Sequence, residues 1–231
     1  FDEAEPLLLR ALEAKERTLG PEHPHTLSSV NSLGWLYAFQ GRYDEAEPLY
    51  LRALEARERT LGPEHPHTLT SVGNLGVLYD SQGRYDEAEP LLLRALEARE
   101  RSLGPEHPHT AVSLSALGGF YDSQGRYNEA EPLHIRSLQA RDCTLGPAHP
   151  RTLKSVDNLG WNQLEQGSTK AREQFIRCLK AYTDTTDWKH HWAKLGVTLC
   201  EGLESGSFEA AESVIGDMTD LLGADHERVQ K

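Results

Sequence analysis

The chain has 231 residues, of which 38% are apolar and 26% charged, enough for a buried core and too apolar for a disordered tail. Its 24 Lys and Arg against 36 Asp and Glu leave a net charge of −12, which repels phosphate backbones and argues against nucleic-acid binding. No stretch approaches the roughly 18 consecutive apolar residues of a membrane span, so direct membrane insertion is not expected.

Three cysteines, Cys143, Cys178 and Cys200, are odd in number and lack CxxC spacing. Neither a disulfide framework nor a zinc knuckle follows, and the expectation is an intracellular, reducing compartment, most simply the cytoplasm. The chain opens at Phe1 without a basic-then-apolar leader. It is expected to be a processed form or a piece of a longer chain or complex.

The segment GPEHPHT recurs with its first proline at Pro21, Pro63 and Pro105, and reappears as GPAHPRT at Pro147, a constant step of 42 residues. Gly41, Gly83, Gly125 and Gly167 keep the same phase, as do Tyr37, Tyr79 and Tyr121. A fixed period of this length marks stacked units that bury a core together which none could bury alone.

Taken in chain order, residues from Phe1 fall in phase with Tyr43, so the chain begins on the second helix of a unit whose first helix is missing. That helix is expected to leave Leu7, Leu8 and Leu12 open to a covering element. Leu27, Val30, Leu33, Leu36 and Tyr37 then recur at three- and four-residue spacing, predicting a helix that Gly41 ends in the left-handed conformation. A further helix follows. Asp44 and Glu47 are spaced as a capping box, with Pro48 expected in the first turn, and Ala46, Leu49, Tyr50, Ala53 and Leu54 form its apolar stripe up to Leu61-Gly62-Pro63. The small residues Gly34, Ala46 and Ala53 stand where two such helices approach closely. Charged runs such as Glu55, Arg57, Glu58 and Arg59 read as solvated faces with i,i+3 and i,i+4 pairing.

The order Leu33-Gly34, Tyr37, Ala46, Tyr50, Ala53 resembles the tetratricopeptide repeat pattern, and the 42-residue period with its LGPEHP loop resembles the longer repeats of kinesin light chains. The resemblance covers residues 1–166 and implies an all-α fold, a right-handed superhelical solenoid of antiparallel helix pairs. Residues 167–231 carry degenerate units. Ala171, Phe175, Cys178 and Leu179 take the places of Ala46, Tyr50, Ala53 and Leu54, and a final unit shows in Leu195-Gly196 and Phe208-Glu-Ala-Ala-Glu212. This end is expected to act as the C-terminal cap.

Residues 1–42 and 43–84 differ mainly at positions 28, 31, 32, 35, 38 and 39 of the first helix, which share one arc of roughly 120°. The resemblance implies that this face lines a concave groove that holds partner peptides. Read along the stack, the groove would present Ser28, Asn31, Trp35, Ala38 and Phe39; then Thr70, Gly73, Asn74, Val77 and Asp80; then Val112, Ser115, Gly119 and Asp122; then Lys154, Asp157, Asn158, Trp161 and Glu165. The position at which chaperone-binding members carry a clamp asparagine reads Trp35, Val77, Gly119 and Trp161, so a carboxylate clamp is not expected. Asn31, Asn74 and Asn158 stand near the places where kinesin light chains hold peptides in which acidic residues flank tryptophan, but most of the basic lining is missing. An apolar segment of neutral-to-basic character suits the Asp80 and Asp122 edge better.

Other constellations are weaker. The pairs His23/His25, His65/His67 and His107/His109 have a proline between them and read as rigid turn structure, with no metal called for. His190-His191-Trp192 with Lys189 and Lys194 is a small basic-aromatic patch, most simply a helix face. Gly167-Ser-Thr-Lys170 lacks the spacing of a phosphate loop, and Cys143 with His149 lacks an orienting third group. No catalytic residue and no cofactor is expected. The function expected is a non-catalytic scaffold for a peptide or helix of another protein, the alternatives being a sensor arm of a larger signalling protein and a structural subunit of a large assembly.

Overall fold

A computed structural model describes residues 4–182 and 188–222. Phe1, whose register with Tyr43 sets the phase of the first unit, lies outside the described residues. The described elements are eleven helices in successive packed pairs, with no strand among them, and none is long and apolar enough to cross a membrane. The chain divides into two compact units, Phe1–Phe120 and Tyr121–Lys231.

The first unit holds α1 (Ala4–Leu19), α2 (Pro24–Phe39), α3 (Tyr43–Leu61), α4 (Pro66–Ser81), α5 (Tyr85–Leu103) and most of α6 (Pro108–Ser123). Each of the helices α2, α4 and α6 begins at the proline of a His-Pro-His segment, where a missing N–H costs nothing. The preceding histidine is the N-cap residue: Nδ1 of His23 and of His65 accepts the backbone N–H two residues on at 3.2 Å, and that of His107 at 3.1 Å. The histidine pairs are therefore helix-start devices, as the turn reading expects. Gly41 ends α2 at φ +74°, which lets the Arg42 N–H return to the Tyr37 carbonyl at 2.9 Å.

The apolar faces then close on one another. Leu27, Val30, Leu33, Leu36 and Tyr37 are buried, as are their counterparts Leu69, Val72, Leu75, Leu78 and Tyr79. A Cβ at Gly34 would stand 3.0 Å from the Tyr50 ring, and one at Gly76 would stand 2.9 Å from Leu92. The glycines are the floor onto which the second helix of each pair seats its largest side chain.

Three local expectations change. Helix α3 starts at Tyr43, and its cap residue Arg42 makes no side-chain cap bond, so Asp44 and Glu47 do not form a capping box; Glu47 is bound instead by Tyr79, Gln82 and Arg84 of the next repeat. Pro48 accordingly lies inside the helix, past its first turn. At the start of the chain Leu7 is exposed, but Leu8 is half-buried and Leu12 is buried. Leu12 shares its register with Leu54, on the face that packs forward onto the following helix.

The second unit contains the last turn of α6, then α7 (Tyr127–Leu145), α8 (Pro150–Glu165), α9 (Ala171–Ala181), α10 (Trp188–Ser205) and α11 (Glu209–Leu222). His149 caps α8 as its counterparts do, its Nδ1 accepting from the Arg151 N–H at 3.1 Å. Ala171, Phe175 and Cys178 are fully buried, and a Cβ at Gly160 would meet the Phe175 ring at 3.0 Å, the relation that Gly34 has with Tyr50. Leu195 packs with Ala211, Val214 and Met218 to join α10 to α11. Gly196, however, lies against the Phe175 ring of α9, so it serves the preceding helix and is not the equivalent of Gly34.

Candidate functional site

The first unit brings Ser28, Asn31, Trp35, Thr70 and Asn74 into one cleft of about 540 Å³, whose other walls are Ala4, Leu8, Ser32, Leu36, Arg57 and His67. Trp35 is 55% exposed and Phe39 53% exposed. They are one helical turn apart on α2, with ring centroids 5.4 Å apart and planes inclined by 27°. Two large rings held in a stack and left facing water form an apolar platform that reaches the cleft through Trp35, the kind of surface that anchors a partner side chain.

The cleft also holds an ordered set of polar side chains. Asn31 is buried and its Nδ2 donates to Ser71 Oγ at 3.4 Å, while Arg57 Nη1 donates to the same oxygen at 2.8 Å and to the His67 carbonyl at 3.1 Å. Asn31 Oδ1 is buried with no partner among the described residues. The Thr70 hydroxyl donates to the Pro66 carbonyl at 3.0 Å and accepts from Arg99 Nη2 at 3.1 Å. Ser28 is exposed and donates to the Pro24 carbonyl at 2.9 Å.

Arg57 departs from the sequence expectation. It is 4% exposed, not part of a solvated face, and burial pulls its pKa down. The same position is filled by Arg99, bonded to Ser113 Oγ at 2.8 Å, by Arg141, bonded to Ser155 Oγ at 2.5 Å, and by Lys15, bonded to Ser29 Oγ at 2.7 Å. The signal was present in the copies: a cation at 15, 57, 99 and 141 always precedes a serine by 14 residues. The neighbouring charges also pair between repeats, Glu58 with Arg94 at 2.6 Å and Arg59 with Glu22.

The remaining expected residues fall elsewhere. Val77 is exposed, and Asp80 and Ser115 are half-buried; none of the three, nor Phe39, is among the cleft walls. In the second unit Asp122 belongs to a polar cluster. Its Oδ1 accepts from Asn162 Nδ2 at 2.6 Å, and its Oδ2 accepts from Nε2–H of the buried His134 at 2.6 Å. His134 and Asn162 stand 42 residues after Leu92 and Phe120, so polar residues have replaced an apolar pair at these positions. Lys154 is exposed and Asp157 and Asn158 half-buried. Trp161 is half-buried: its Nε1 donates to Asp157 at 3.1 Å, and its ring packs against Phe175 and Trp192 at centroid distances of 5.1 and 4.8 Å.

A third recurring arrangement ties one repeat to the next. Tyr37 donates to Glu5 at 3.1 Å while Arg42 bonds the same carboxylate at 2.6 Å and lies 4.0 Å above the Tyr37 ring. The set recurs as Tyr79, Glu47 and Arg84, and in the fourth copy Gln163 replaces the tyrosine and donates to Glu131 at 2.9 Å. The Arg42 guanidinium holds Glu5 below the usual carboxylate range.

Comparison with known proteins agrees with this architecture. Tetratricopeptide repeat models match residues 1–59, 36–100, 81–142 and 115–184. No curated protein matches at a significant level. Among solved structures, the nearly identical TPR-like repeats of a putative kinesin light chain from Podosopora anserina are 22% identical, covering 89% of this chain and 99% of that one, with a TM-score of 0.72. A variant form of those repeats is 23% identical over 86% of this chain and 95% of that one, with a TM-score of 0.73. BtubC (BKLC) from P. vanneervenii is 20% identical over 95% of this chain and 90% of that one, with a TM-score of 0.77. At such identities the likeness is one of fold.

Proposed function

Because this chain belongs to the tetratricopeptide repeat family, whose fold generally serves as a protein–protein interaction scaffold, we propose that it is a non-catalytic scaffold that holds an apolar segment of a partner protein in the cleft of its first unit. The observation that carries this reading is the Trp35–Phe39 stack, left open to water above a cleft whose polar floor is already ordered by the Asn31–Ser71–Arg57 bonds. Preordered floors and rigid rings keep the entropic cost of binding low.

The charge of the partner follows from the walls. They include Arg57 and His67 and, among the described residues, no carboxylate, and Asp122 is occupied by His134 and Asn162, so the acidic edge that favoured a basic partner is weakened. An apolar segment that offers a carbonyl or carboxylate oxygen to the floor fits this cleft better than a basic one. Residues 167–231 serve in this reading as the C-terminal cap of the stack. Burial pushes the Cys178 thiol up to about 12, which suits a structural thiol in a reducing compartment.

Selection of displayed random peptides on the immobilised chain tests the proposal. Trp35→Ala is expected to weaken the selected peptides by at least about 30-fold, the effect of losing an anchor worth about 2 kcal/mol, with helicity unchanged. Undiminished binding to Trp35→Ala would overturn it.

A further inference from the structure

The second unit contains a cavity of about 290 Å³ between the start of α8, the end of α9 and the start of α10. Arg151 and Lys154 line it on one side, Tyr182 and Trp192 on the other, with Asp157 and Lys189. The two cations are three residues apart and share a helix face. They are peculiar to this copy: the equivalent positions hold His25, His67 and His109 in place of Arg151, and Ser28, Thr70 and Val112 in place of Lys154.

Neither cation is used by the fold. The Arg151 backbone N–H caps α8 on His149 and its carbonyl accepts from Arg141 at 3.2 Å, but its guanidinium and the Lys154 ammonium have no hydrogen bond or ion pair among the described residues. Asp157, the one carboxylate in the described lining, accepts from Trp161 Nε1. Two uncompensated cations therefore stand beside two aromatic rings on a protein whose net charge is −12.

Charge matching selects the ligand. A single carboxylate would neutralise one of the two cations, whereas a phosphate monoester carries close to two negative charges and three acceptor oxygens, and suits a guanidinium fork. Rings at Tyr182 and Trp192 favour a flat aromatic stem over an aliphatic one. A volume near the lower end for small-molecule sites admits one ring with its phosphate. We propose that this cavity binds an aryl phosphate, presented as a phosphotyrosine side chain of a partner protein. The site is separate from the Trp35 cleft and does not depend on it.

The test is fluorescence anisotropy of the full chain with a labelled phosphotyrosine peptide flanked by Gly, Ser and Ala, set against the same peptide carrying Tyr or Glu. Saturable binding at least tenfold tighter for the phosphotyrosine peptide is expected. Arg151→Gln and Lys154→Gln should each weaken it at least tenfold, with helicity and melting temperature unchanged, while Trp35→Ala leaves it intact. Free phenyl phosphate should compete better than inorganic phosphate. Equal binding of the Glu peptide, equal competition by inorganic phosphate, or undiminished binding by the double Arg151→Gln/Lys154→Gln variant would each overturn the proposal.

Discussion

Arg57 on α3 donates from Nη1 to Ser71 Oγ on α4 at 2.8 Å, and the two side chains are buried together with no carboxylate bonded to the guanidinium among the described residues. A cation desolvated without a counterion is costly unless its donors are satisfied. Here the hydroxyl and the His67 carbonyl do so, which locks the second helix of one repeat to the first helix of the next.

Arg57→Ala should therefore lower the stability of the α3–α4 region by about 2 kcal/mol, the scale of charge-assisted bonds lost from a buried site. Arg57→Lys should cost less than about 1 kcal/mol, because Lys15 already makes the equivalent bond to Ser29 at 2.7 Å. Hydrogen exchange resolved to α3 and α4 measures both, and suits a repeat array whose units open separately. Equal protection in wild type and Arg57→Ala would show that the bond is not a tie between repeats.

The helices, their order and their core were legible because each rests on local rules: proline at a helix start, glycine at a helix end, and Leu, Val and Tyr at 3.6-residue spacing. The cleft was half legible. Divergence between copies found Asn31, Trp35, Thr70 and Asn74, since a face that does not pack is free to vary. Arg57 and Glu47 were misread because each serves a neighbour in the next repeat. In a single repeat Glu47 is a third-position capping acid and Arg57 is one charge in a run; only stacking gives them Arg84 and Ser71. Trp161 shares the register of Trp35 but stands in a different setting, since the altered C-terminal helices place Phe175 and Trp192 against its ring.

Two glycines of α4 should respond in opposite senses to alanine. A Cβ at Gly76 would meet Leu92 Cγ and Cδ2 at 2.9 Å and Leu91 Cβ at 3.3 Å, whereas one at Gly73 would meet nothing within 4 Å. Gly76→Ala should destabilise by about 1–3 kcal/mol through overpacking. Gly73→Ala should stabilise by about 1 kcal/mol from helix propensity alone. Urea unfolding followed by circular dichroism reads both, and the same sign for the two variants would contradict this packing.

The histidine caps offer a third measurement. His65 Nδ1 satisfies the His67 N–H, one of the donors that a helix start leaves open. His65→Ala should cost about 1 kcal/mol, and His65→Asp should restore most of it, since a carboxylate oxygen caps as well and favours the helix N-terminus. If alanine and aspartate were equivalent at this position, the cap bond would carry no stability.

Glu47 makes the tie between repeats sensitive to acid. Burial works to raise its pKa, but the hydrogen bonds from Arg84, Gln82 and Tyr79 outweigh it and hold the carboxyl below its ordinary 4.5. A depressed folded value means that the anion is favoured by folding, so its contribution is fully present above about pH 4.5 and is lost as pH falls through the lower folded value. Glu47→Gln removes the charge but not the shape. The difference in urea midpoint between wild type and Glu47→Gln should therefore be constant from neutral pH down to about 5 and shrink progressively below about 4.5. Because Glu87, also held low by Arg84, titrates in both proteins, most of its effect cancels in that difference. A gap that stayed the same at about pH 3 would mean that it does not arise from the ionisation of Glu47, and that charge plays no part in joining these two repeats.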